Sequence, residues 1–379
     1  MIITAKGFMK QLKAYTDNHM NIGILVYDIG LTGGAEKVAE KLAIQLGEYH
    51  NVTLITLFDS LNVCEGKDYR TAVLSKQTKS ITRSFLSLKN KLQYEIKTAD
   101  IDIIIAITAG VVTLAVASAK ETGTRVIYAE HSNLENKTYG KKHQLRQLLG
   151  AKFSDAVATL TERDRDNFIK EFKINPEKVV SIPNWYDPNK DVSEYRGESK
   201  SIITVGRLET VKGYNYLIQV AEIIADSCKG WKWDIYGDGS LHEKLQEEIL
   251  SKGLDSFVCL KGNSNNLSEI YPEYAFFVMT SVYEGFPLVL LEAQAASLPI
   301  ISFNCPTGPA EIIDYGINGT IIPAYDVPKL AEAVLKMIND SDMRCRYASR
   351  ARKNLTRYSM ESVLKKWLRL IETVAGEQK

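Results

Sequence analysis

The chain has 379 residues with 47 Lys and Arg against 46 Asp and Glu, a balance that argues against bulk nucleic acid as a partner. Its length exceeds what one ordinary core sustains and predicts two domains, and 45% hydrophobic with 25% charged residues is the composition of a globular protein. The charge is unevenly spread: residues 1–190 carry 26 Lys and Arg against 21 Asp and Glu, the remainder 21 against 25. Cys64, Cys228, Cys259, Cys305 and Cys345 include no C-x-x-C pair and predict free thiols in a reducing compartment. The N-terminus lacks the continuous apolar core of a signal peptide, and no apolar run approaches the ~20 residues that span a bilayer, so a cytoplasmic protein is expected.

Residues 1–20 read as an N-terminal extension, with Ile2, Ile3, Phe8, Met9, Leu12 and Tyr15 set among Lys6, Lys10 and Lys13. A frayed or packed tail is favoured there over a short amphipathic helix. From residue 21 a strand (21–27), a glycine turn (30–34) and a one-faced apolar helix (35–47) follow in order. Further strands are expected at 52–58, 101–108, 126–129, 156–160 and 179–182, with a helix over 111–122. This alternation predicts a parallel doubly wound sheet for residues 21–187. A polar linker spans 188–199, and the pattern restarts in a second such domain over 200–358, with strands at 201–205, 233–236, 258–260, 276–278 and 299–302. Residues 359–379 close the chain with a helix expected to pack back on the first domain. The fold class is therefore α/β, two Rossmann-like domains facing a cleft, with ligands beyond the carboxyl ends of the strands.

The most informative segment runs from Glu284 to Glu292, EGFPLVLLE. A buried strand precedes it and an apolar helix follows, with Pro287 suited to the first helical position. Glu284 then lies on the strand-to-helix loop and Glu292 in the second turn. Between them, free helix-start N–H groups favour an anion. Two hydroxyl-binding carboxylates around an anion site suit a nucleotide-sugar. Gly206-Arg207-Leu208 and Lys212-Gly213 follow the first strand of the second domain, where a guanidinium and an ammonium can share a diphosphate. Gly33-Gly34-Ala35-Glu36 follows the first strand of the first domain but is not a G-x-G-x-x-G fingerprint, which weakens a dehydrogenase reading. His131 ends a strand, and Gly237-Asp238-Gly239 and Gly262-Asn263 are strand-end loops. Taken singly, each of these also has a plain structural reading: surface cations at Arg207 and Lys212, a tight turn at Gly33-Gly34, a structural histidine at His131.

In this order and spacing, with Gly308-Pro-Ala-Glu-Ile-Ile313 and Asn318-Gly319 added, they resemble retaining glycosyltransferases of family 4, which have the GT-B fold. The resemblance covers nearly all residues after the first twenty. It implies that Arg207 and Lys212 hold a donor diphosphate, that Glu292 binds ribose hydroxyls, and that Glu284 with the backbone from Gly285 through Phe286 and Pro287 to Leu288 contacts the transferred sugar and phosphate. It places His131 near the sugar and acceptor and the Gly33-Gly34 loop over the phosphates; Gly206, Gly237 and Asn263, on strand-end loops, are expected beside the nucleotide. The segment Cys305-Pro-Thr-Gly-Pro-Ala-Glu311 resembles members that use UDP-sugars and extend surface glycans. One departure is Trp185, which follows Pro183-Asn184 where many relatives have glycine.

The activity implied is transfer of a hexose or N-acetylhexosamine from a UDP-sugar to a polyprenyl-diphosphate-linked glycan in bacterial surface polysaccharide synthesis. No cofactor is expected, and no carboxylate cluster suited to a metal beside a phosphate is evident. A soluble acceptor and a non-catalytic nucleotide-sugar-binding subunit remain the alternatives. Residues 67–97 hold Lys67, Arg70, Lys76, Lys79, Arg83, Lys89, Lys91 and Lys97 interleaved with Phe85, Leu86, Leu88, Leu92 and Tyr94. Residues 137–152 hold Lys137, Lys141, Lys142, Arg146 and Lys152. Both stretches fit docking to anionic lipid at the inner face of the plasma membrane, or equally a solvated helix face.

Overall fold

Strands that are apolar on both faces need cover on both sides, and here they form two all-parallel sheets flanked by helices. The computed structural model describes residues 19–30, 34–60, 69–75, 81–186 and 195–376. Most of the expected N-terminal extension, Gly33, part of the 67–97 stretch and much of the linker therefore lie outside the described residues. The chain divides into two compact units, one made of residues up to Pro183 together with Val363 onward, the other of Asn184–Ser362.

In the first unit the strands are β1 (Asn21–Asp28), β2 (Asn51–Phe58), β3 (Arg70–Ser75), β4 (Ile103–Ile107), β5 (Arg125–Ala129), β6 (Ala156–Thr159) and β7 (Val179–Ser181). Their order is β3-β2-β1-β4-β5-β6-β7, which puts the reversal of strand order between β1 and β4. Helices α1 (Gly34–Leu46), α2 (Ile81–Thr98), α3 (Ala109–Thr122), α4 (Gly140–Phe153) and α5 (Glu162–Phe172) connect them. α3 is apolar almost throughout and packs between α2 and α4. Gly123 ends it in the left-handed conformation, its N–H donating to Ala119 O. The chain's final helix, α13 (Met360–Gly376), has an apolar stripe that buries Val363, Leu364, Trp367, Leu368, Ile371 and Val374. From Val363 it belongs to this unit, and Lys366 Nζ donates to Ser181 O at the end of β7, 3.2 Å.

In the second unit β8 (Ser201–Val205), β9 (Lys232–Tyr236), β10 (Val258–Gly262), β11 (Phe276–Met279), β12 (Ile300–Phe303) and β13 (Gly319–Ile322) run in the order β10-β9-β8-β11-β12-β13. The reversal lies between β8 and β11, the position at which open α/β sheets bind ligands beyond their strand ends. Helices α6 (Tyr214–Ile224), α7 (His242–Ser251), α8 (Leu267–Ile270), α9 (Leu288–Ala295), α10 (Pro309–Ile312), α11 (Val327–Asn339) and α12 (Ser341–Ala351) complete the unit. One core joins α6, α11 and the sheet through Leu217, Ile218, Ala221, Trp233, Phe276, Leu330 and Val334.

Pro287 departs from the expected first helical position. It is the N-cap, with φ −76° and ψ 94°, and α9 begins one residue later at Leu288. The proline ring fixes φ but leaves ψ free to stay extended, so it introduces the helix instead of opening it.

Candidate active site

The ends of β8, β9 and β10 are tied together by their glycines. Gly206 N–H donates to Tyr236 O and Gly237 N–H to Gly262 O, each 2.9 Å. At φ 145° Gly237 lies under the Gly206 carbonyl, and a Cβ there would fall 1.9 Å from Gly206 O. Only glycine lets the Gly206-Arg207-Leu208 loop pass so close. Leu208 is buried and its N–H donates to Asp238 O, 2.9 Å, while Arg207 is exposed. Among the described residues Arg207 forms no ion pair.

Lys212 ends a 3-10 turn, Thr210–Lys212, and Gly213 follows it at φ 66°. A Cβ on Gly213 would lie 2.1 Å from Thr280 O, so glycine is what brings this turn against the end of β11. Thr280 Oγ1 donates to Lys212 O (3.1 Å) and Val282 N–H to Val211 O (2.8 Å). Across the point of reversal Lys212 Nζ then meets Glu284 Oε1 at 2.7 Å, and Ser281 Oγ donates to the same oxygen at 2.6 Å. A Cβ built on Gly206 would lie in ordinary contact with the Lys212 side chain at 3.5 Å, so that stem runs directly past the Gly206 loop. Gly206, Lys212 and Glu284 thus converge.

The loop from Glu284 to Pro287 is held from behind. Thr307 Oγ1 donates to Glu284 O and lies 3.2 Å from Gly285 O. The Phe286 ring meets Tyr358 edge-on, with centroids 5.4 Å apart. Among the described residues the N–H groups of Gly285, Phe286, Leu288 and Val289 have no hydrogen-bond acceptor. On α9, Glu292 accepts from Tyr271 OH at 3.2 Å. Burial and the adjacent Glu292 charge push the Tyr271 hydroxyl well above its ordinary range, so it stays a donor. Asn263 is exposed on the loop after β10, the edge strand. Ser281 and Tyr271 were not picked out from the sequence, and Thr307 only as part of the Cys305–Glu311 segment. Ser281 left one signal, a hydroxyl three residues before Glu284.

In the first unit Gly34 opens α1, and Gly33 lies outside the described residues. His131 follows β5 and is partly buried. Burial lowers its pKa to about 4 against the opposing pull of Glu130, so the imidazole is neutral at pH 7. Glu130 itself is fully buried and well supplied with donors: Ser132 N–H and Oγ at 2.8 Å, Gln147 Nε2 at 3.1 Å, and Tyr128 OH. Asp164 is also buried, accepts from Leu134 N–H at 3.1 Å, and has its pKa raised to about 7, first by burial and then by Glu130 and Glu135. A cavity of about 940 Å³ lies at the opposite, amino-terminal end of this sheet, beside Asn21, His50 and Thr53. None of the motif residues line it. Among the described residues no cluster of three or more His, Cys, Asp or Glu is placed to hold a metal, and no helix is long and apolar enough to cross a membrane.

Two all-parallel sheets of seven and six strands flanked by helices in one chain match the GT-B fold. The profile described as Glycosyltransferase Family 4 matches residues 32–190, and that described as Glycosyl transferases group 1 matches residues 187–354. The chain belongs to glycosyltransferase family 4. It is 29% identical to the amylovoran biosynthesis glycosyltransferase AmsD of Erwinia amylovora, over 91% of this chain and 97% of that protein. It is also 29% identical to a poly(ribitol-phosphate) alpha-N-acetylglucosaminyltransferase of Staphylococcus aureus, over 64% of this chain but 49% of that protein, so it spans about half the length of that relative. The crystal structure of HepE from Anabaena in complex with UDP and glucose superposes with a TM-score of 0.81 at 19% identity, over 94% of this chain and 100% of that one.

Proposed function

We propose that the chain transfers a hexose or N-acetylhexosamine from a UDP-sugar, with retention and without a metal ion, to a lipid-linked glycan in bacterial surface polysaccharide synthesis. The observation that carries this reading is the Lys212–Glu284–Ser281 group at the β8/β11 reversal, beside N–H groups of the α9 start that have no acceptor among the described residues. Arg207, Lys212 and those amides stabilise the charge that grows on the leaving diphosphate, each donor contributing about 3 kcal/mol when preorganised. Glu292 binds the ribose hydroxyls and Glu284 a hydroxyl of the sugar. An acceptor hydroxyl attacks the anomeric carbon from the face that UDP leaves. The bond from that carbon to the diphosphate oxygen breaks, and the acceptor's proton passes to the departing phosphate. Neutral His131, on the first unit, is the residue we assign to the sugar and acceptor. The names of the Erwinia and Staphylococcus relatives support a polymeric glycan or polyol-phosphate acceptor.

The experiment is a UDP-release screen with UDP-glucose, UDP-galactose, UDP-GlcNAc, UDP-GalNAc and GDP-mannose, with EDTA and beside an Arg207→Ala Lys212→Ala control. Release from one UDP-sugar, lost in the control, is expected. Absence of both release and UDP binding would leave a non-catalytic role.

We place the protein at the cytoplasmic membrane surface through α4. Its sequence, GKKHQLRQLLGAKF, has no acidic residue, and Lys141, Lys142 and Lys152 are exposed together with Leu145 and Phe153, 54% and 63% accessible. α2 contributes less: Lys89 pairs with Glu121, Lys91 donates to Leu74 O, and Leu88 and Leu92 are core.

A further inference from the structure

We propose that Thr307 is a positioning residue for the donor site, acting through the backbone of the Glu284–Pro287 loop; this rests on the donor-site reading given above. Thr307 is 3% exposed and has φ 64°. A β-branched residue in the left-handed region is a genuine outlier, and such strain persists only where the surroundings enforce it. Glycine would adopt this φ without cost, and the next residue, Gly308 at φ 92°, already does. What threonine adds is the hydroxyl, whose single proton is shared between the carbonyls of Glu284 and Gly285.

Those two carbonyls belong to the peptide units that carry the N–H groups of Gly285 and Phe286. A peptide unit is planar, so fixing its oxygen fixes the direction of its N–H. Thr307 therefore orients two of the donors proposed to meet the diphosphate and sugar. Gly308 sets the distance: a Cβ there would lie 2.4 Å from Pro287 Cδ, so the 305–308 turn and the 284–287 loop are in contact. Tyr358 supports both. Its ring packs on Phe286 and its hydroxyl donates to Glu311 O, at the helix that follows Gly308.

The test compares Thr307→Ser, Thr307→Val and Thr307→Gly with the unaltered chain, measuring UDP affinity by calorimetry, the KM and kcat of donor hydrolysis, and Tm. Serine keeps the hydroxyl and should keep UDP affinity near that of the unaltered chain. Valine keeps the shape and strain but loses the hydroxyl, and should weaken UDP about tenfold. Glycine loses the hydroxyl and relieves the strain, so it should melt above the valine variant yet bind UDP as weakly. A purely structural role predicts instead that affinity follows Tm across the series, and that pattern overturns the proposal. Equal UDP affinity in all four proteins overturns it as well, while leaving the donor-site reading intact. An unaltered chain that neither binds UDP nor releases it removes both.

Discussion

Lys212 Nζ and Glu284 Oε1 stand 2.7 Å apart although 72 residues separate them in sequence. The pair closes the point where strand order reverses, and its side chains are 20% and 10% exposed. Removing one partner of such a pair strands the other's charge in a poorly solvated site, which costs more than removing both. Lys212→Ala should cut donor hydrolysis by about 10²–10³-fold and lower Tm. In a double-mutant cycle, Lys212→Ala with Glu284→Ala should be more stable than the sum of the single changes predicts. Thermal melts and donor-hydrolysis rates of the four proteins check both.

The pH dependence of stability should reflect two opposed groups in the first unit. His131, with its pKa lowered to about 4, stays neutral in the folded chain while the unfolded chain takes up a proton below the ordinary histidine value. Its contribution is present above that value and is lost as pH falls towards 4. Asp164, raised to about 7, holds a proton that the unfolded chain releases above the ordinary carboxyl value. Its contribution is present at low pH and is lost as pH rises through 7, amounting to a few kcal/mol. Denaturation from pH 4 to 8 should therefore show Asp164→Asn flattening the decline towards pH 8. His131→Asn should flatten the fall on the acid side.

Gly237→Ala places a methyl 1.9 Å from Gly206 O, with backbone on both sides. Neither side can yield cheaply, so a loss of about 2–4 kcal/mol and a sharp fall in UDP affinity are expected. Gly253→Ala is the control. Its added carbon meets nothing within 4 Å, and at φ 65° it should cost about 1 kcal/mol with no change in UDP affinity.

Docking to membranes should depend more on α4 than on α2. Lys141→Glu with Lys142→Glu should abolish sedimentation with vesicles containing anionic phosphatidylglycerol, and Leu145→Ser should weaken it. Lys89→Glu should leave it intact, because Lys89 is already paired with Glu121. Binding that is indifferent to anionic lipid would refute the surface assignment. A loss of about 1 kcal/mol per removed charge, diminishing at high salt, is the expected scale.

Most strands of both sheets and the Glu284–Glu292 segment were legible because continuous apolar runs bounded by glycine leave few alternatives. β3 and β13 and the helices α2, α4, α5, α7, α11 and α12 were not placed. In α2 the buried residues Ile81, Leu88, Leu92 and Ile96 recur at helical spacing, but the four basic residues Arg83, Lys89, Lys91 and Lys97 dominate the sequence. α4 has almost no amphipathic signal, since it exposes Leu145 and Phe153 and buries Gln147 for Glu130. Thr307 lay inside the Cys305–Glu311 segment, but its own role was hidden for a different reason. Its role depends on a backbone angle that β-branched residues avoid, so its residue type points away from the conformation it holds.

Gly150 gives α4 a second consequence. A Cβ there would sit 2.8 Å from Val112 and 2.9 Å from Tyr128, so the helix lies directly on the ring whose hydroxyl serves Glu130. Three residues earlier, Gln147 reaches the same carboxylate. The outer side of α4 is open to solvent while its inner side is wedged against the residue preceding His131. With no room for a Cβ at Gly150, any side chain there would lift α4 off Tyr128 and draw Gln147 away from Glu130.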